Sequence, residues 1–171
     1  MGNKKIWRIS GPALLLATLL LGTAAFAEAP FEGEKGREMA KQFLKGCGEN
    51  GGAFFIATMD EDNQPRVRPF SAIGEYDGRL YICTNNQKNV YRQIKANPRV
   101  EISGVVRGEW IRLTARAVQD DRTEAKQAML DQNPSLNRMY KVDDGIFVVL
   151  YLDNAQANIL SFTGRNDVVK F

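Results

Sequence analysis

The stretch Tyr81–Val100, YICTNNQKNVYRQIKANPRV, changes character halfway along its length. The apolar, β-prone run 80–82 gives way at Thr84 to polar residues, and Val90, Tyr91 and Ile94 then follow at helical spacing. A helix that begins just after a strand exposes free backbone N–H groups and the positive end of its dipole. The sequence therefore predicts a helix that begins near Asn86 or Gln87, with a candidate anion site at its start.

The polar residues of this junction have two interpretations. Lys88 adds a full positive charge, and Thr84, Asn85 and Asn89 can donate hydrogen bonds from their side chains, which together suit a phosphate group. Alternatively, Asn85 or Asn86 only caps the helix and Lys88 is solvated, because asparagine is a favoured N-cap residue in any helix. The spacing alone leaves both interpretations open.

Outward from this stretch, strand patterns alternate with turn signals. GGAFFIATMD (51–60) predicts a buried strand, and RVRPFSAIGEY (66–76) predicts a second strand at a sheet edge or bulge, because Pro69 cannot donate to a strand ladder. Asp77-Gly78 predicts a hairpin into the strand that contains Cys83. RVEISGVVRGEWIRLTARAV (99–118) predicts two strands around Gly108, and GIFVVLYL and AQANILSF predict two more, joined by a hairpin at Asp153-Asn154.

Helical spacing occurs in three places along the chain. It runs from Glu34 to Lys45, follows Lys88, and returns in DRTEAKQAMLDQNPSLNRMYKV (121–142), where Asp121 or Thr123 is the candidate cap and Asn133-Pro134 predicts a break. Seven strand candidates and three or four short helices, with the strands mostly consecutive, indicate an α+β, mainly β fold. An antiparallel barrel or sandwich is the predicted architecture.

The first 27 residues have the three parts of a secretory signal: basic MGNKKIWR, an apolar stretch from Ile9, and small residues at Ala25–Ala27. We predict cleavage after Ala27 and export to the periplasm. The alternative is an uncleaved membrane anchor, since residues 9–27 approach the roughly 20 residues that span a bilayer. Without this leader, 20 acidic residues are balanced by as many basic ones, so charge gives no argument for nucleic-acid binding.

The chain has two cysteines and no histidine. The lack of histidine excludes or disfavours zinc sites, histidine-ligated haem, and Ser-His or Cys-His catalytic pairs. Export would permit a disulfide between Cys47 and Cys83. The apolar strand pattern around Cys83 equally predicts two separate buried thiols.

Four motifs in order resemble the pyridoxamine 5′-phosphate oxidase-like family of FMN-binding split barrels, in its short, single-domain branch. They are RVRPF (66–70), LYICTNNQKNVYRQIKANPRVEI, WIRLTARAV and MYKVDDGIFVVLYLDNAQANILSFTG, and the resemblance runs from about Phe43 to the C-terminus. It implies that residues 28–171 form a six- to seven-stranded antiparallel Greek-key split barrel. It also implies a homodimer with FMN held at the interface between the two copies.

The resemblance also implies which residues bind the cofactor. Residues 66–69 would lie along the flavin, with Arg66 also reaching the phosphate. Thr84 and Asn85 would bind ribityl or phosphate oxygens, and Lys88 would bind the phosphate, helped by Gln87 or Asn89. Trp110 would contact the cofactor from across the barrel. The implied set is Arg66, Val67, Arg68, Pro69, Thr84, Asn85, Gln87, Lys88, Asn89 and Trp110. As alternatives, Arg66 and Arg68 form a solvated strand face, and Trp110 is a core or dimer contact.

The same resemblance bears on activity. In the true oxidase, the vitamin-B6 substrate is held by a basic residue near the end of the RVRPF strand and by a C-terminal arginine and histidine. In this sequence Ser71 stands at the strand position, and the chain has no histidine. We therefore expect an exported FMN-dependent oxidoreductase that acts on another small-molecule substrate or electron donor. We expect no catalytic side chain and no metal, since the flavin carries the redox chemistry. The alternative is a non-catalytic module that binds flavin or haem for storage, transfer or sensing.

Overall fold

The computed structural model describes residues 30–171, so the predicted signal peptide (1–27) lies outside the described residues. The strands are β1 (Phe31–Glu32), β2 (Phe54–Met59), β3 (Pro65–Phe70), β4 (Ile73–Tyr76), β5 (Arg79–Asn85), β6 (Arg99–Val106), β7 (Glu109–Asp120), β8 (Phe147–Ser161) and β9 (Asn166–Lys170). The helices are α1 (Gly33–Gly48), α2 (Asn89–Ala96) and α3 (Thr123–Gln132), with 3₁₀ turns at Glu49–Gly51 and Pro134–Arg138. No helix within residues 30–171 is long and apolar enough to cross a bilayer.

The strands form one sheet in the order β1-β9-β8-β7-β6-β2-β3, and β5 pairs with both β4 and β8. All pairs are antiparallel except β1 with β9. The long strand β8 pairs with β5 over Phe147–Tyr151 and with β9 over Gln156–Leu160, so the sheet branches along β8 instead of closing into one ring. The α+β, mainly β split barrel expected from the sequence is confirmed, but the sheet has nine strands instead of the six or seven expected.

Strand β3 is a sheet edge, as Pro69 predicts, because it pairs only with β2. The Asp77-Gly78 hairpin is also confirmed: both residues have positive φ, +50° and +68°, as a two-residue turn between right-twisted strands requires.

Two predictions about the strands were wrong, and one strand was missed. The segment 66–76 forms two strands, β3 and β4, which pair with different partners. The predicted hairpin at Asp153-Asn154 does not exist, since β8 is continuous through it. Asn154 has a φ of +50° and faces a register shift in β7 between Thr114 and Arg116, so its turn-like backbone is used for a β-bulge. Strand β9, in the short segment that follows Gly164, was not predicted.

Two buried clusters hold the fold together. The larger lies inside the barrel and receives Ala40 and Leu44 from α1 and Val90 and Ile94 from α2. The smaller lies under α3 and the second 3₁₀ turn. The two cysteines are separate buried thiols, Cys47 in the larger cluster and Cys83 in the smaller, so the disulfide alternative is wrong.

Candidate functional site

A cleft of about 270 Å³ opens where the end of β3, the end of β5, the start of α2 and the second 3₁₀ turn meet. It is lined by Arg68, Pro69, Phe70, Ser71, Ala72, Cys83, Thr84, Lys88, Val90, Leu136, Met139 and Tyr140. The two charged residues of this set, Arg68 and Lys88, are both positive, and no carboxylate is among the lining residues. The cleft therefore favours an anionic ligand on electrostatic grounds.

Thr84 is the cleft residue whose buried side chain lacks a hydrogen-bond partner. It is the next-to-last residue of β5, pairs with Val148, and is only 3% exposed. Within residues 30–171, its Oγ1 is buried without any hydrogen-bond partner. A buried hydroxyl left unpaired costs about 1–3 kcal/mol. A ligand oxygen in the cleft would supply the missing partner.

Arg68 is held at the cleft by neutral groups. Its Nη1 donates to Thr58 Oγ1 at 2.7 Å and its Nη2 donates to Gln93 Oε1 at 2.9 Å. The Thr58 hydroxyl in turn donates to Gln93 Oε1 at 2.7 Å. Partial burial, and then the like charge of Arg66, lower the pKa of Arg68. An arginine stays protonated in proteins, so it keeps a charge available to a ligand.

The loop from β5 into α2 differs from the prediction. Helix α2 begins at Asn89 with Lys88 as its N-cap, and not near Asn86 or Gln87. The Gln87 N–H donates to Asn85 Oδ1 and the Lys88 N–H to Asn85 O, so Asn85 caps a turn that precedes the helix. The predicted start of the helix was therefore wrong. The interpretation of Asn85 or Asn86 as the helix cap was also wrong, because Lys88 holds the N-cap position. The amides of Asn89 and Val90 open the helix and have no acceptor within it.

Asn86 joins this loop to the opposite wall of the cleft. Its N–H donates to Ile146 O at 3.0 Å and its Nδ2 to Gly145 O at 2.8 Å. The Asp144 carboxylate accepts from the N–H groups of Lys141, Phe147 and Ile146, which order the same segment. Desolvation raises the pKa of Asp144, but these three hydrogen bonds outweigh it and lower the pKa overall. The ring of Tyr140 then stacks on Phe147, with centroids 4.8 Å apart. These contacts hold the 3₁₀ turn as an apolar wall facing the polar loop.

Four of the ten sequence-predicted site residues meet in the cleft: Arg68, Pro69, Thr84 and Lys88. Asn85, Gln87 and Asn89 belong to the adjoining loop and do not line the cleft. Arg66 is outside it, with its Nε 2.7 Å from Asp60 Oδ2 in the β2–β3 turn. Val67 points to the other face of β3 and is 64% exposed.

Trp110 lies on β7, away from the cleft of its own chain. It stands opposite Val105 of β6, and its ring lies 4.9 Å from that of Phe162. Phe162 is 95% exposed at the turn between β8 and β9. Trp110 is not among the residues that line the cleft of its own chain.

Sequence reasoning missed the apolar wall formed by Leu136, Met139 and Tyr140. The break at Asn133-Pro134 predicted where α3 ends, but nothing in the sequence indicated that the following turn faces β5 and Lys88. Hydrogen bonds between residues almost 60 positions apart bring these segments together, such as Asn86 to Gly145.

Comparison with known proteins supports the same fold and family. The model of the pyridoxamine 5′-phosphate oxidase family matches residues 37–159. The crystal structure of a NimC/NimA family protein from Clostridium acetobutylicum is 47% identical, covers 81% of this chain and 94% of its own, and superposes with a TM-score of 0.76. General Stress Protein 26 from Bacillus anthracis is 16% identical, covers 81% of this chain and 98% of its own, and has a TM-score of 0.61.

A heme binding protein from Mycobacterium smegmatis is 18% identical, covers 74% of this chain and 57% of its own, and has a TM-score of 0.55. Both of these more distant similarities concern the fold alone. No match was found among curated proteins. The family model spans most of the chain, and the Clostridium protein is similar over nearly its whole length. The chain therefore belongs to the pyridoxamine 5′-phosphate oxidase family.

Proposed function

We propose that this protein is an exported, homodimeric oxidoreductase that binds FMN in the cleft between β3, β5 and α2. The observation that carries the proposal is the unpaired Thr84 hydroxyl, which is buried in a cleft that also contains Arg68 and Lys88 and no lining carboxylate. Membership of the family supports a flavin as the ligand.

The lining residues fit the two chemical parts of FMN. Lys88, Arg68 and the Thr84 hydroxyl would hold phosphate and ribityl oxygens, which need charged and neutral donors. Pro69, Met139 and Tyr140 would pack against the planar ring as an apolar wall. When bound, FMN supplies hydride or electron transfer, while the protein binds it, orients it and excludes water.

The chain offers little acid–base chemistry of its own in the cleft. No lining residue is a carboxylate, and the chain has no histidine. Burial raises the pKa of the Cys83 thiol to about 12, so that it stays protonated at neutral pH. We propose that the flavin carries the reaction; Lys88 and Tyr140 are the titratable lining residues besides Cys83 and Arg68.

The homodimer is supported by large apolar side chains that are exposed on the outer face of the sheet. The strand register puts Phe55, Val67 and Val105 on the outward side of β2, β3 and β6, where they are 47%, 64% and 68% exposed. Trp110 continues the same face next to Val105. A second copy packed on this face would bring a Trp110 from outside toward the cleft, the role that the family resemblance implies for it.

Export is proposed from the leader, with its basic start, apolar stretch and Ala25–Ala27 ending. Mass spectrometry of the protein from a periplasmic extract tests it. A mature chain that begins at Glu28 is expected. A full-length chain recovered only with membranes would instead indicate an anchor.

Flavin binding is tested by adding FMN to the purified mature protein. We expect yellow protein whose flavin bands bleach on reduction, and Lys88→Ala should weaken FMN binding by about 1–2 kcal/mol, the scale of a charge-assisted hydrogen bond. Lys95→Ala, which removes an exposed lysine from the last turn of α2, is the matched control. Equal dissociation constants for Lys88→Ala and wild type would place Lys88 outside the site, and a protein that takes up no FMN would refute the proposal.

The same preparation distinguishes an oxidoreductase from a non-catalytic binding module. Bound FMN that is reduced but reoxidised by no acceptor would indicate a storage, transfer or sensing module. A Soret band after addition of haem, without FMN uptake, would indicate a haem module on the same fold.

A further inference from the structure

Three residues that line the cleft, Ser71, Thr84 and Tyr140, carry hydroxyl groups. Within residues 30–171, none of these hydroxyls takes part in a hydrogen bond, and that of Thr84 is also buried. The hydroxyls of Tyr81 and Tyr91, which lie outside the cleft, instead donate to side-chain oxygens at 2.8 and 2.9 Å. A buried tyrosine usually finds a partner for its hydroxyl. The cleft therefore offers unused neutral donors besides its two cations.

Tyr140 is the largest of the three hydroxyl residues, and its position is fixed by the fold. Its backbone N–H donates to Leu136 O at 2.9 Å, and its ring stacks on the buried ring of Phe147, with an angle of 25° between the ring planes. Tyr140 is only 8% exposed, but its oxygen is not one of the buried polar atoms that lack a partner. The hydroxyl thus keeps accessible surface, and because the residue lines the cleft, we infer that this surface faces the cleft.

The wall around Tyr140 is apolar. Leu136 and Met139 line the cleft next to it. Arg138 and Lys141 flank this segment in the sequence, but both are exposed and neither is among the lining residues. A single hydroxyl on an apolar wall is the kind of group that orients a ligand, because few polar contacts fix the position of a molecule that is otherwise held by packing.

The charges of the cleft favour a substrate without charge of its own. In the proposed flavin complex, Arg68 and Lys88 face a phosphate group that carries about two negative charges at neutral pH. The cleft has no other charged lining residue. A second anion would therefore find no free counter-charge, and a cation would find no carboxylate, so either would be costly to bury.

We propose that the substrate is a neutral, planar carbonyl compound and that Tyr140 is a specificity-determining residue, whose hydroxyl donates a hydrogen bond to the carbonyl oxygen. The inference rests on the proposed function, which places the cofactor phosphate on the two cations. A carbonyl conjugated with a ring lies in the plane of that ring, so such a molecule presents a flat apolar face and an acceptor at its edge. A planar molecule without an acceptor would leave the Tyr140 hydroxyl unpaired, and a site with a fixed donor discriminates against it.

The test uses three planar probes on the mature protein saturated with FMN. Coumarin is a neutral lactone, naphthalene has a fused ring of similar size without an acceptor, and coumarin-3-carboxylate adds a negative charge to the coumarin ring. Dissociation constants are measured from changes in the flavin absorption bands for the wild type, Tyr140→Phe and Tyr91→Phe. Tyr91→Phe is the matched control, because it removes a hydroxyl that donates to Gln119 outside the cleft.

We expect Tyr140→Phe to lower the ratio of coumarin to naphthalene affinity about fivefold, the loss of one hydrogen bond between neutral groups. Tyr91→Phe should leave this ratio unchanged. The wild type should bind coumarin-3-carboxylate at least about tenfold more weakly than coumarin, because the charged group has no partner. If Tyr140 only supported the wall, Tyr140→Phe would change the affinities for coumarin and naphthalene together and leave their ratio unchanged.

The proposal is overturned by an unchanged ratio in Tyr140→Phe, by equal affinities of the wild type for coumarin and coumarin-3-carboxylate, or by a flavin-loaded wild type that binds no coumarin. A wild type that takes up no FMN refutes the proposed function instead. Calorimetric titration of the flavin-free protein with coumarin and naphthalene then decides the role of Tyr140 separately. A lower affinity ratio in Tyr140→Phe supports that role, and an unchanged ratio, or no binding of coumarin, overturns it.

Discussion

Thr58 and Thr84 are equally buried threonines whose hydroxyls have opposite surroundings. Thr58 donates to Gln93 and accepts from Arg68, whereas Thr84 Oγ1 has no partner in the described part of the chain. Burial of an unpaired hydroxyl is unfavourable, while a paired one contributes about 0.5–1.5 kcal/mol to stability. The Thr58 hydroxyl therefore stabilises the folded protein, whereas the Thr84 hydroxyl destabilises it unless a ligand occupies the cleft.

This contrast gives opposite expectations for the same substitution. Thr84→Val should raise the free energy of unfolding of the ligand-free protein by about 1 kcal/mol and should weaken FMN binding, because an unsatisfied group is removed together with a ligand contact. Thr58→Val, the matched control, should lower the free energy of unfolding by about 1–2 kcal/mol. Urea denaturation and FMN titration measure both quantities. A Thr84→Val protein that is less stable without ligand would show that its hydroxyl already has a partner.

At the scale of single elements, helix α1 packs backbone to backbone on strands β1 and β9. A Cβ atom added at Gly36 would lie 2.3 Å from Phe31 O and 2.8 Å from Lys170 O. These atoms belong to β1 and β9, which cannot move away without breaking their pairing. A Cβ added at Gly46, in the same helix, would meet only the side chain of Val106, at 3.5 Å. The close approach of α1 to the sheet thus depends on Gly36 and not on Gly46.

The two glycines are consequently expected to respond in opposite directions to alanine. Gly36→Ala should destabilise the protein by about 1–3 kcal/mol, as overpacking against backbone does. Gly46→Ala should be neutral or stabilising by up to about 1 kcal/mol, because alanine favours the helix. Differential scanning calorimetry of the two variants tests this. A similar shift in unfolding temperature for both would show that α1 can move away from β1 and β9.

The junction between β5 and α2 shows how far an element could be predicted from its sequence. The strand, the helix and the polar loop between them were all predicted from the pattern of apolar residues. The helix start was not, because Asn85 closes a local turn and Asn86 donates both of its hydrogen bonds to residues 145 and 146. A local sequence pattern cannot indicate those distant acceptors.

At the scale of the whole molecule, the outward face of β2, β3 and β6 is the surface on which the homodimer proposal depends. This face carries the exposed apolar side chains Phe55, Val67 and Val105 together with the charged pair Glu101 and Arg112. Large apolar side chains exposed together on one sheet face, with charged residues beside them, are typical of an interaction site. An interface here would cover the edge strand β3 beside the cleft.

Phe55→Glu should therefore convert a dimer into a monomer, since an unpaired carboxylate would have to be buried in the interface. Size-exclusion chromatography with light scattering at micromolar concentration measures the mass of each form. Gln127→Glu, which adds the same charge on α3, should leave the dimer intact. A wild-type protein that is monomeric at these concentrations would contradict the homodimer proposal.

The sequence by itself determined the order and type of most elements, the edge position of β3, the Asp77-Gly78 hairpin and the family, because these depend on local periodicity, on proline and glycine geometry and on ordered motifs. It also identified Arg68, Pro69, Thr84 and Lys88 among its site candidates. Only the tertiary structure decided that β8 is continuous, that residues 136–140 form a wall of the cleft, and that Arg68 has neutral partners while Arg66 is ion-paired. The reason is physical: pairing and the solvation of a charge depend on neighbours brought together by folding, such as Gln93, which lies 25 residues from Arg68 in sequence.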